Sequence, residues 1–466
     1  MRKALAAVVF GCVGLFVAGA EPARADNMAD ALVGAYNTSG LLEQNRALLR
    51  AADEDVAQAV ATLRPILSWT ASAGRTVGDL NLTGVSTGQE STPLALQLSL
   101  QYLLYDFGAS RQSIRAAEQT VLATRESLTG IEQQVLFNAV LAYLNLILQQ
   151  EYVELAENNN RVLEEQLKAT QDRFDVGAVT RTDVALAQAQ LAGARANLTT
   201  ARGDYQDARA AYQRVVGRLP NGTAGLPPLP KKPASVDQAI AVAVNTHPDI
   251  RSAQYQIASA EFLIERAEAS MLGSLSVNGS AGLNNNLDLD RDGHSGSVTL
   301  SFNQPIYQGG ALSSGVRQAK ANRDAARGSL ITAQRTVVES VRNAYEAIGV
   351  AASNIQATSS QVDASKIAFD GLREEAKLGS RTTLDVLIAE QDLLDARSAQ
   401  ITARIALYQA SYQLLQTQGL LTAQRLQLPV TIYDPSAYYN LAKTAPTNIS
   451  KRGQQLDRVL EALGKQ

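Results

Sequence analysis

The sequence predicts an internally duplicated α+β membrane protein, built from long coiled-coil helices and four strands in each chain. Two observations indicate the duplication: prolines are absent from two long stretches, 94–219 and 306–428, and the residues within them repeat at a fixed offset. Because proline breaks helix interiors, two matched proline-free stretches predict two sets of long helices. Before each set stand strands in which apolar and small polar residues alternate, a pattern typical of membrane barrels.

The composition narrows the classes of function. The chain has 466 residues and a net charge of −3, so a basic surface for nucleic acid is not expected. It contains two histidines and one cysteine, too few for a His/Cys metal site or a Cys–His nucleophile pair. It has no phosphate-binding loop and no nucleophile elbow. We therefore expect a protein that is not an enzyme and has no catalytic residues, metal or cofactor. Any energy that its function needs must come from a partner protein.

Residues 1–25 have the pattern of a secretory signal peptide. A basic start precedes an apolar run over 4–20, and the cleavage motif A-R-A follows at 23–25. The run is barely long enough to anchor the chain in a membrane, and the residues after Cys12 are too apolar for a lipoprotein cysteine. We predict an exported chain without cysteine, which suits an oxidising compartment.

The chain is predicted to be a duplication of one structural unit. Beyond residue 104 the two halves match at an offset of 202, whereas upstream of residue 38 the offset is 208. Six extra residues must therefore lie in the first half between these positions. The identical pairs are Gly108/Gly310, Arg115/Arg317, Ala142-Tyr143/Ala344-Tyr345, Gly177/Gly379, Asp183-Val184/Asp385-Val386, Arg195/Arg397, Gly217/Gly419 and Asn37-Thr38/Asn245-Thr246.

Each repeat is predicted to run helix, strand, loop, strand, long helix, turn, helix. In the first repeat, 26–225, these are a β-hairpin at 66–105, a long helix at 109–175 and a helix at 180–217. In the second, 235–428, they are a β-hairpin at 274–307, a long helix at 311–377 and a helix at 382–418. A stiff Pro-rich linker, 226–234, joins the repeats, and a C-terminal tail, 429–466, has no assigned role.

The long helices are predicted to pair as coiled coils. A helix of about 66 residues spans on the order of 100 Å, far longer than an ordinary globular helix. The returning helices carry apolar residues at heptad spacing, which is typical of coiled coils but also occurs on an amphipathic helix of a globular core. These heptad residues are Val184, Leu191, Leu198, Tyr205 and Tyr212, and Leu387, Leu394, Ile401, Tyr408 and Leu415. The most apolar helical segment, 135–148, is too short to span a membrane.

The four strands are predicted to face lipid on one side and water on the other. The first repeat alternates apolar with small polar residues over 67–73 and 94–102, and the second over 275–283 and 298–303. A soluble sandwich shows the same alternation, but long helices in an exported chain favour the barrel. Four strands cannot close a barrel, because every edge must be paired in lipid. Two copies would give eight strands, too few for a pore, and three would give twelve, so a trimer fits best.

The chain resembles the TolC-type outer membrane channel family from about residue 29 to about 428. The most specific motifs are SFNQPIYQGGALSSGVRQAK (301–320), RFDVGAVTRTDVALAQAQ (173–190) and KLGSRTTLDVL (377–387), with SLQYLLYDFGASRQSIRAAE (99–118) as a first-half counterpart. The resemblance implies a homotrimer with a shared twelve-stranded barrel in outer membrane lipid and an α-helical tunnel in the periplasm. It further implies docking to a periplasmic adaptor and to an ABC or proton-driven inner-membrane transporter, as in type I secretion and multidrug efflux.

The resemblance also implies roles for residues at the helical tips. Thr182, Asp183 and Arg381 match positions that link neighbouring coiled coils, and Asp385 matches one residue of an acidic ring at the constriction. Turn-shaping glycines and solvated charges are the simpler interpretations of the same residues. The positions that match the family's adaptor-docking tips are Val176, Gly177, Ala178, Leu378, Gly379 and Ser380.

The chain departs from the family pattern at the gate. Ile388 stands where well-known members have a second aspartate, and Ala376 stands where they have a clasp tyrosine. We therefore expect a weaker cation preference and fewer gate bonds. Elsewhere, D-x-D-x-D-G at 288–293 begins like a calcium loop, but Thr299 replaces the final glutamate, and we interpret 284–296 as an extracellular loop.

The sequence leaves one alternative open. A periplasmic coiled-coil adaptor or structural rod would also show long heptad helices, but it would lack the four uncharged strands. The exported substrate and the choice of inner-membrane pump are not encoded in any motif of the chain. The predicted function is a passive exit duct in the bacterial outer membrane.

Overall fold

The computed structural model describes residues 25–82, 85–286 and 291–462, so the predicted signal peptide and residues 288–290 of the acidic motif lie outside the described residues. The chain is mostly helical, with a small group of antiparallel strands at one end of two long helical hairpins. Its elements are α1 (Met28–Thr38), α2 (Gly40–Ala61), β1 (Ile66–Ala73), β2 (Thr76–Leu82), β3 (Val85–Ser91), β4 (Pro93–Tyr105), α3 (Ala109–Asp175), α4 (Arg181–Val216), α5 (Val236–Thr246), α6 (Pro248–Ala269), β5 (Ser274–Asn286), β6 (Arg291–Asn303), α7 (Ala311–Lys377), α8 (Thr383–Thr417), α9 (Pro435–Ala442) and α10 (Lys451–Ala462).

The predicted fold class is confirmed by this architecture. The two longest helices, α3 and α7, have 67 residues each and pack antiparallel against α4 and α8. The heptad residues of the returning helices are buried or half-buried, which shows that the heptad face forms the coiled-coil seam. Gly108 and Gly310 adopt left-handed φ values of +92° and +88° at the starts of α3 and α7. Such turns suit glycine at the point where the chain enters each long helix.

Four strands form one antiparallel sheet in the order β1-β4-β5-β6. Its register produces rows of like side chains, including the polar row Ser68–Ser99–Ser280–Ser297. The hydroxyls of Ser68 and Ser99 lie 2.8 Å apart, as do those of Ser280 and Ser297. The neighbouring rows on the opposite face are apolar, with Trp69 beside Leu98. The sheet therefore has one hydroxyl-rich face and one apolar face.

Both hairpins extend further than the sequence indicates. Residues between β1 and β4 were expected to form a loop, but β2 and β3 pair there as a second, two-stranded ribbon. The predicted loop at 284–296 is also wrong in part, because β5 and β6 pair through Asn286 and Arg291. Backbone hydrogen bonds can extend a hairpin through polar and glycine-containing residues, so such a composition does not by itself end it. The longer first hairpin accounts for the six extra residues of the first repeat.

The end of the first short helix of each repeat, α1 or α5, contacts the end of the returning helix, α4 or α8. Thr38, the last residue of α1, donates its hydroxyl to the carbonyl of Val216 at the end of α4 (3.2 Å). In the second repeat, Thr246 donates to Gln418 (2.6 Å). A threonine side chain thus satisfies a free helix-end carbonyl in each repeat.

Within the described residues, one helix, α3, contains a stretch long and apolar enough to cross a membrane. Just over half of that stretch is buried inside the fold. It includes Leu136, Val140, Tyr143 and Leu144, which belong to the largest core cluster. Its apolar character is therefore explained by packing between helices.

The predicted tail packs back onto the first repeat. Helix α9 lies against α2, and α10 packs on α9. Arg64 donates to the carbonyl oxygens of Thr444 and Ala445 just beyond α9. The tail is therefore an integral layer of the fold rather than an extended end.

Candidate functional site

The first helical hairpin ends in a tight turn closed by Gly177. The amide of Gly177 donates to the Phe174 carbonyl (2.9 Å), and the amide of Ala178 donates to the Arg173 carbonyl (2.9 Å). Gly177 has a φ of +75°. These two bonds around a left-handed glycine form a Schellman motif, which satisfies the free carbonyls at the end of α3.

The second hairpin ends in the same motif. The amide of Gly379, whose φ is +77°, donates to the Ala376 carbonyl (3.2 Å), and that of Ser380 donates to the Glu375 carbonyl (3.1 Å). The Ser380 hydroxyl donates to the same Glu375 oxygen (2.9 Å). Two matched turns therefore end the two hairpins of each chain.

Apolar side chains project from both turns. Val176 is 79% exposed and Leu378 is 86% exposed. A Cβ atom added at Gly177 or Gly379 would meet nothing within 4 Å. The turns are thus open, apolar knobs at the ends of long rods, a form suited to docking into a partner's groove.

A threonine–aspartate pair starts the helix after each turn. Thr180 donates its amide (2.9 Å) and hydroxyl (2.7 Å) to Asp183. Thr382 donates in the same way to Asp385, at 3.0 and 2.8 Å. These capping boxes stabilise the first turns of α4 and α8. The donated hydrogen bonds lower the pKa of Asp183 and of Asp385, so both carboxyls stay ionised to a lower pH than usual.

Arg381 forms an ion pair within its own hairpin. Its Nε lies 2.9 Å from the Oε2 atom of Glu375, and this contact, followed by the attraction of Asp385, raises the pKa of Arg381. Asp183 contacts Thr180 instead, so a single chain does not bring Arg381 and Asp183 together. Thr182, next to Asp183 in the chain, is exposed. Sequence reasoning missed Glu375, although its position six residues before Arg381 across a glycine turn was the available signal.

The two hairpins of one chain meet along a packed seam just above the turns. Leu387 of α8 packs with Leu163 of α3 and Leu191 of α4. Closer to the turns, Arg173 donates to the Ala376 carbonyl across the seam (3.4 Å). The seam ties the second hairpin to the first, so it resists their separation.

Glu390 is a buried carboxyl in this seam. It lines a cavity of about 150 Å³ between α3, α7 and α8, together with Arg161, Lys366 and Arg397. Within the described ranges its Oε2 atom has no hydrogen-bond partner. Burial raises the pKa of Glu390 to about 7, against the opposing attraction of Arg373. Nothing in the sequence distinguishes this glutamate from its solvated neighbours.

The departures from the family pattern occupy two different environments. Ile388 is 53% exposed, one turn beyond Asp385 on α8. Ala376 is buried beside Phe369 and Val386. No group of three or more potential metal ligands occurs in the described part of the chain.

Long antiparallel coiled coils joined to a sheet with one apolar and one polar face define a class: outer membrane export channels with a helical tunnel. A family model described as outer membrane efflux protein matches residues 35–218 and 239–420. The chain is 34% identical over 428 residues to the outer membrane efflux protein BepC of Brucella suis, covering 91% of this chain and 92% of BepC.

Other relatives include secretion and efflux proteins. The alkaline protease secretion protein AprF of Pseudomonas aeruginosa is 27% identical, with 79% of each chain covered. The outer membrane protein TolC of Escherichia coli is 26% identical, covering 84% of this chain and 82% of TolC. The fold is similar to the crystal structure of the Campylobacter jejuni CmeC channel, with a TM-score of 0.74, 19% identity and 91% and 90% coverage of the two chains. The chain belongs to the outer membrane efflux protein family and is an outer membrane channel of the efflux and type I secretion class.

Proposed function

We propose that three copies of the chain form a passive exit duct, whose helical tips dock a periplasmic adaptor and an inner-membrane ABC or proton-driven transporter. The observation that carries the docking proposal is the pair of matched turns with exposed Val176 and Leu378. Val176-Gly177-Ala178 and Leu378-Gly379-Ser380 are the proposed docking points. The duct itself performs no catalysis, so the partner supplies the energy.

The sheet supports the trimer. β1 and β6 are the two outer strands of the four-stranded sheet, and an open strand edge in lipid leaves backbone groups without hydrogen bonds. Apolar side chains such as Trp69 (70% exposed) and Leu300 (64% exposed) have no cover in one chain. Pairing the β1 edge of one copy with the β6 edge of the next closes twelve strands, with apolar residues outside and serines lining the pore.

The gate follows from the turns. Arg381, Asp183 and Thr182 are proposed to bond between neighbouring hairpins in the closed tunnel, because a guanidinium donates to several acceptors at once. Glu375 then competes with Asp183 for Arg381. Three copies of Asp385 about the threefold axis would attract cations at the narrowest point.

Photo-crosslinking at the tip tests the docking proposal. A photoreactive residue replaces Ser380 in living cells, and captured proteins are identified by mass spectrometry. The matched control carries the same residue at Asn197, exposed on α4 away from the turn. Capture of a periplasmic adaptor at Ser380 and not at Asn197 supports docking. Equal capture at both positions, or none at Ser380, contradicts it.

The identity of the captured adaptor also tests the exported substrate class. An adaptor encoded beside an ABC transporter indicates type I protein secretion. An adaptor of a proton-driven pump indicates multidrug efflux, and capture of both indicates a shared exit.

A further inference from the structure

The C-terminal tail covers a charged cluster on the first repeat. Arg46 lies between the rings of Tyr36 and Tyr433, 5.2 Å from each centroid. Tyr438 donates its hydroxyl to Glu54 (2.8 Å), and Tyr439 donates to Glu118 (3.2 Å). Three tail tyrosines thus contact charges of α2 and α3.

Beneath the tail lies a carboxyl without a partner. Asp53 of α2 is fully buried, and neither of its side-chain oxygens has a hydrogen-bond partner among the described residues. Arg125 of α3 lies nearby, but its Nε is likewise buried without a partner in the same part of the chain. A buried carboxyl and a half-buried guanidinium that do not bond each other need a structural reason.

The internal duplication supplies that reason. Asp53 corresponds to Glu261 at the offset of 208, and Arg125 corresponds to Arg327 at the offset of 202. In the second repeat these counterparts form an ion pair, with 3.1 Å between Arg327 and Glu261. That pair is half-exposed, and the described helices of the tail pack on α2 and on each other rather than over it. The same pair of positions is therefore bonded where the tail is absent and separated where the tail is docked.

The tail holds Arg125 away from Asp53. The guanidinium carbon of Arg125 lies 5.0 Å from the centroid of the Tyr439 ring. Its Nη2 donates to the carbonyl of Pro435 at the start of α9 (3.4 Å). If Arg125 turned to Asp53, as Arg327 is turned to Glu261, both contacts to the tail would be lost. One arginine therefore serves either the tail or the carboxylate.

We propose that the C-terminal tail is a strap that competes with Asp53 for Arg125, docked while the Asp53 carboxyl is neutral and loosened when it ionises. Arg50, the other cation near Asp53, does not replace Arg125, because it pairs with Glu43 (3.4 Å) and bonds Tyr433 of the tail. The remaining titratable groups are acids or tyrosines. Together these groups come from all three packed elements: Arg50 and Glu54 of α2, Glu118 of α3, and Tyr433, Tyr438 and Tyr439 of the tail.

The direction of the pH effect follows from burial. Burial is the largest influence on Asp53 and raises its pKa from 3.8 to about 7, while Arg125 opposes the shift. Once the tail is released, the carboxyl is solvated and ionises near its ordinary pKa. The docked tail is therefore favoured at low pH, and its advantage is lost as the pH rises from about 4 to about 7. Between pH 5 and pH 7 the opening constant should rise about 50-fold.

Hydrogen exchange on the whole purified channel in detergent tests the strap. Amides of 435–442 should lose about 50-fold of their protection between pH 5 and pH 7, beyond the intrinsic change in exchange rate. Amides of 136–147, in the buried part of α3, serve as the internal reference. The variant Asp53→Asn, which cannot ionise, should keep the tail protected at both pH values.

Glu261→Gln provides the matched control. It removes the corresponding carboxylate of the second repeat, so the tail should retain the full pH dependence. Equal tail protection of the unmodified chain at pH 5 and pH 7 would overturn the proposal, whether or not Asp53→Asn folds. A pH dependence that persists in Asp53→Asn, or disappears in Glu261→Gln, would also overturn it.

Discussion

Two glycines that follow helices, Gly419 after α8 and Gly379 after α7, show how one residue type can be required for different reasons. Gly419 has a φ of +74°, and a Cβ added there would lie 2.8 Å from the Thr246 carbonyl oxygen. Gly379 has nearly the same φ but faces open space. The first glycine is needed for both conformation and close approach, and the second for conformation alone.

Replacing these glycines by alanine should separate the two requirements. Gly379→Ala should cost about 1–2 kcal/mol, the strain of a left-handed residue. Gly419→Ala should cost a further ~1–3 kcal/mol, because the backbone of Thr246 must move. Thermal unfolding of the two variants, followed by circular dichroism, measures the difference. Equal transition temperatures would contradict the role of close packing at Gly419.

Asp385 combines a capping role with a proposed charge in the constriction. Asparagine retains an oxygen that accepts the capping bonds but carries no charge. Asp385→Asn should therefore lower the cation preference in planar bilayers while the helix start is preserved. Reversal potentials in a salt gradient measure the effect, and Glu374→Gln, which removes an exposed carboxylate of the same hairpin outside the proposed constriction, is the control. An unchanged reversal potential in Asp385→Asn would remove the residue from the constriction.

Arg381 is predicted to hold the tunnel closed. Arg381→Ala removes the guanidinium that bonds Glu375 and is proposed to reach Asp183, so single-channel conductance in planar bilayers should rise. Lys377→Ala is the matched control, because Lys377 is exposed on the same hairpin and pairs only with Glu374 among the described residues. Conductance unchanged by Arg381→Ala, or raised equally by Lys377→Ala, would argue against the clasp.

For single residues, the turns could be predicted from the sequence, but the side-chain partners of the buried charged groups could not. Glycines, threonines and aspartates at fixed spacing determine caps and turns locally, so Gly177, Thr180 and Asp183 could be found from their neighbours alone. The partners of Asp53, Arg125 and Glu390 depend on the side-by-side packing of helices separated by many residues. No local pattern encodes that packing.

At the scale of elements, the seam between the hairpins is the contact that we expect opening of the proposed gate to disturb. It combines leucine packing with the Arg173–Ala376 hydrogen bond and the buried Glu390 carboxyl. Separating the hairpins would expose Glu390 to water, where its pKa returns towards 4.5 from about 7. The closed seam binds the proton more tightly than the open one, so a low pH favours closure.

Channel conductance should therefore depend on pH through Glu390. It should rise from about pH 4.5 to about pH 7 and change little above, because the closed seam is then ionised as well. Glu390→Gln should flatten this part of the profile, whereas Glu374→Gln, an exposed change on the same hairpin, should not. Planar-bilayer recordings across this range measure it. A profile unaffected by Glu390→Gln would show that the seam does not open there.

The elements differ in how far the sequence determines them. The long helices were predicted closely because Gly108, Gly177, Gly310 and Gly379 mark their ends and heptads mark their partners. The β2–β3 ribbon was not predicted, because it is held by backbone pairing and carries no regular apolar alternation. The packing of the tail onto the first repeat was not predicted either, because its tyrosines form contacts only once α2 and α3 have assembled.

For the whole molecule, the duplication produces two similar halves that the single tail makes unequal. One tail per chain covers α2 and α3, while the corresponding surface of α6 and α7 keeps its exposed ion pairs Glu261–Arg327 and Glu268–Lys320. Three chains around one axis would therefore alternate strapped and unstrapped repeats. Release of the strap would make the six repeats of a trimer more nearly equivalent.

The proposed barrel provides the most direct test of the assembly, because neighbouring side chains of β4 point to opposite faces of the sheet. Leu98 pairs with Trp69 on the apolar face, and Ser99 bonds Ser68 on the polar face. Leu98→Arg places a charge in lipid in each of three copies, at about 2–4 kcal/mol per copy near the bilayer midplane. The heat-modifiable trimer on unboiled gels should be largely lost. Ser99→Arg faces the water-filled pore, so the trimer should persist while single-channel conductance falls. Loss of the trimer in Ser99→Arg, with persistence in Leu98→Arg, would reverse the assignment of the two faces.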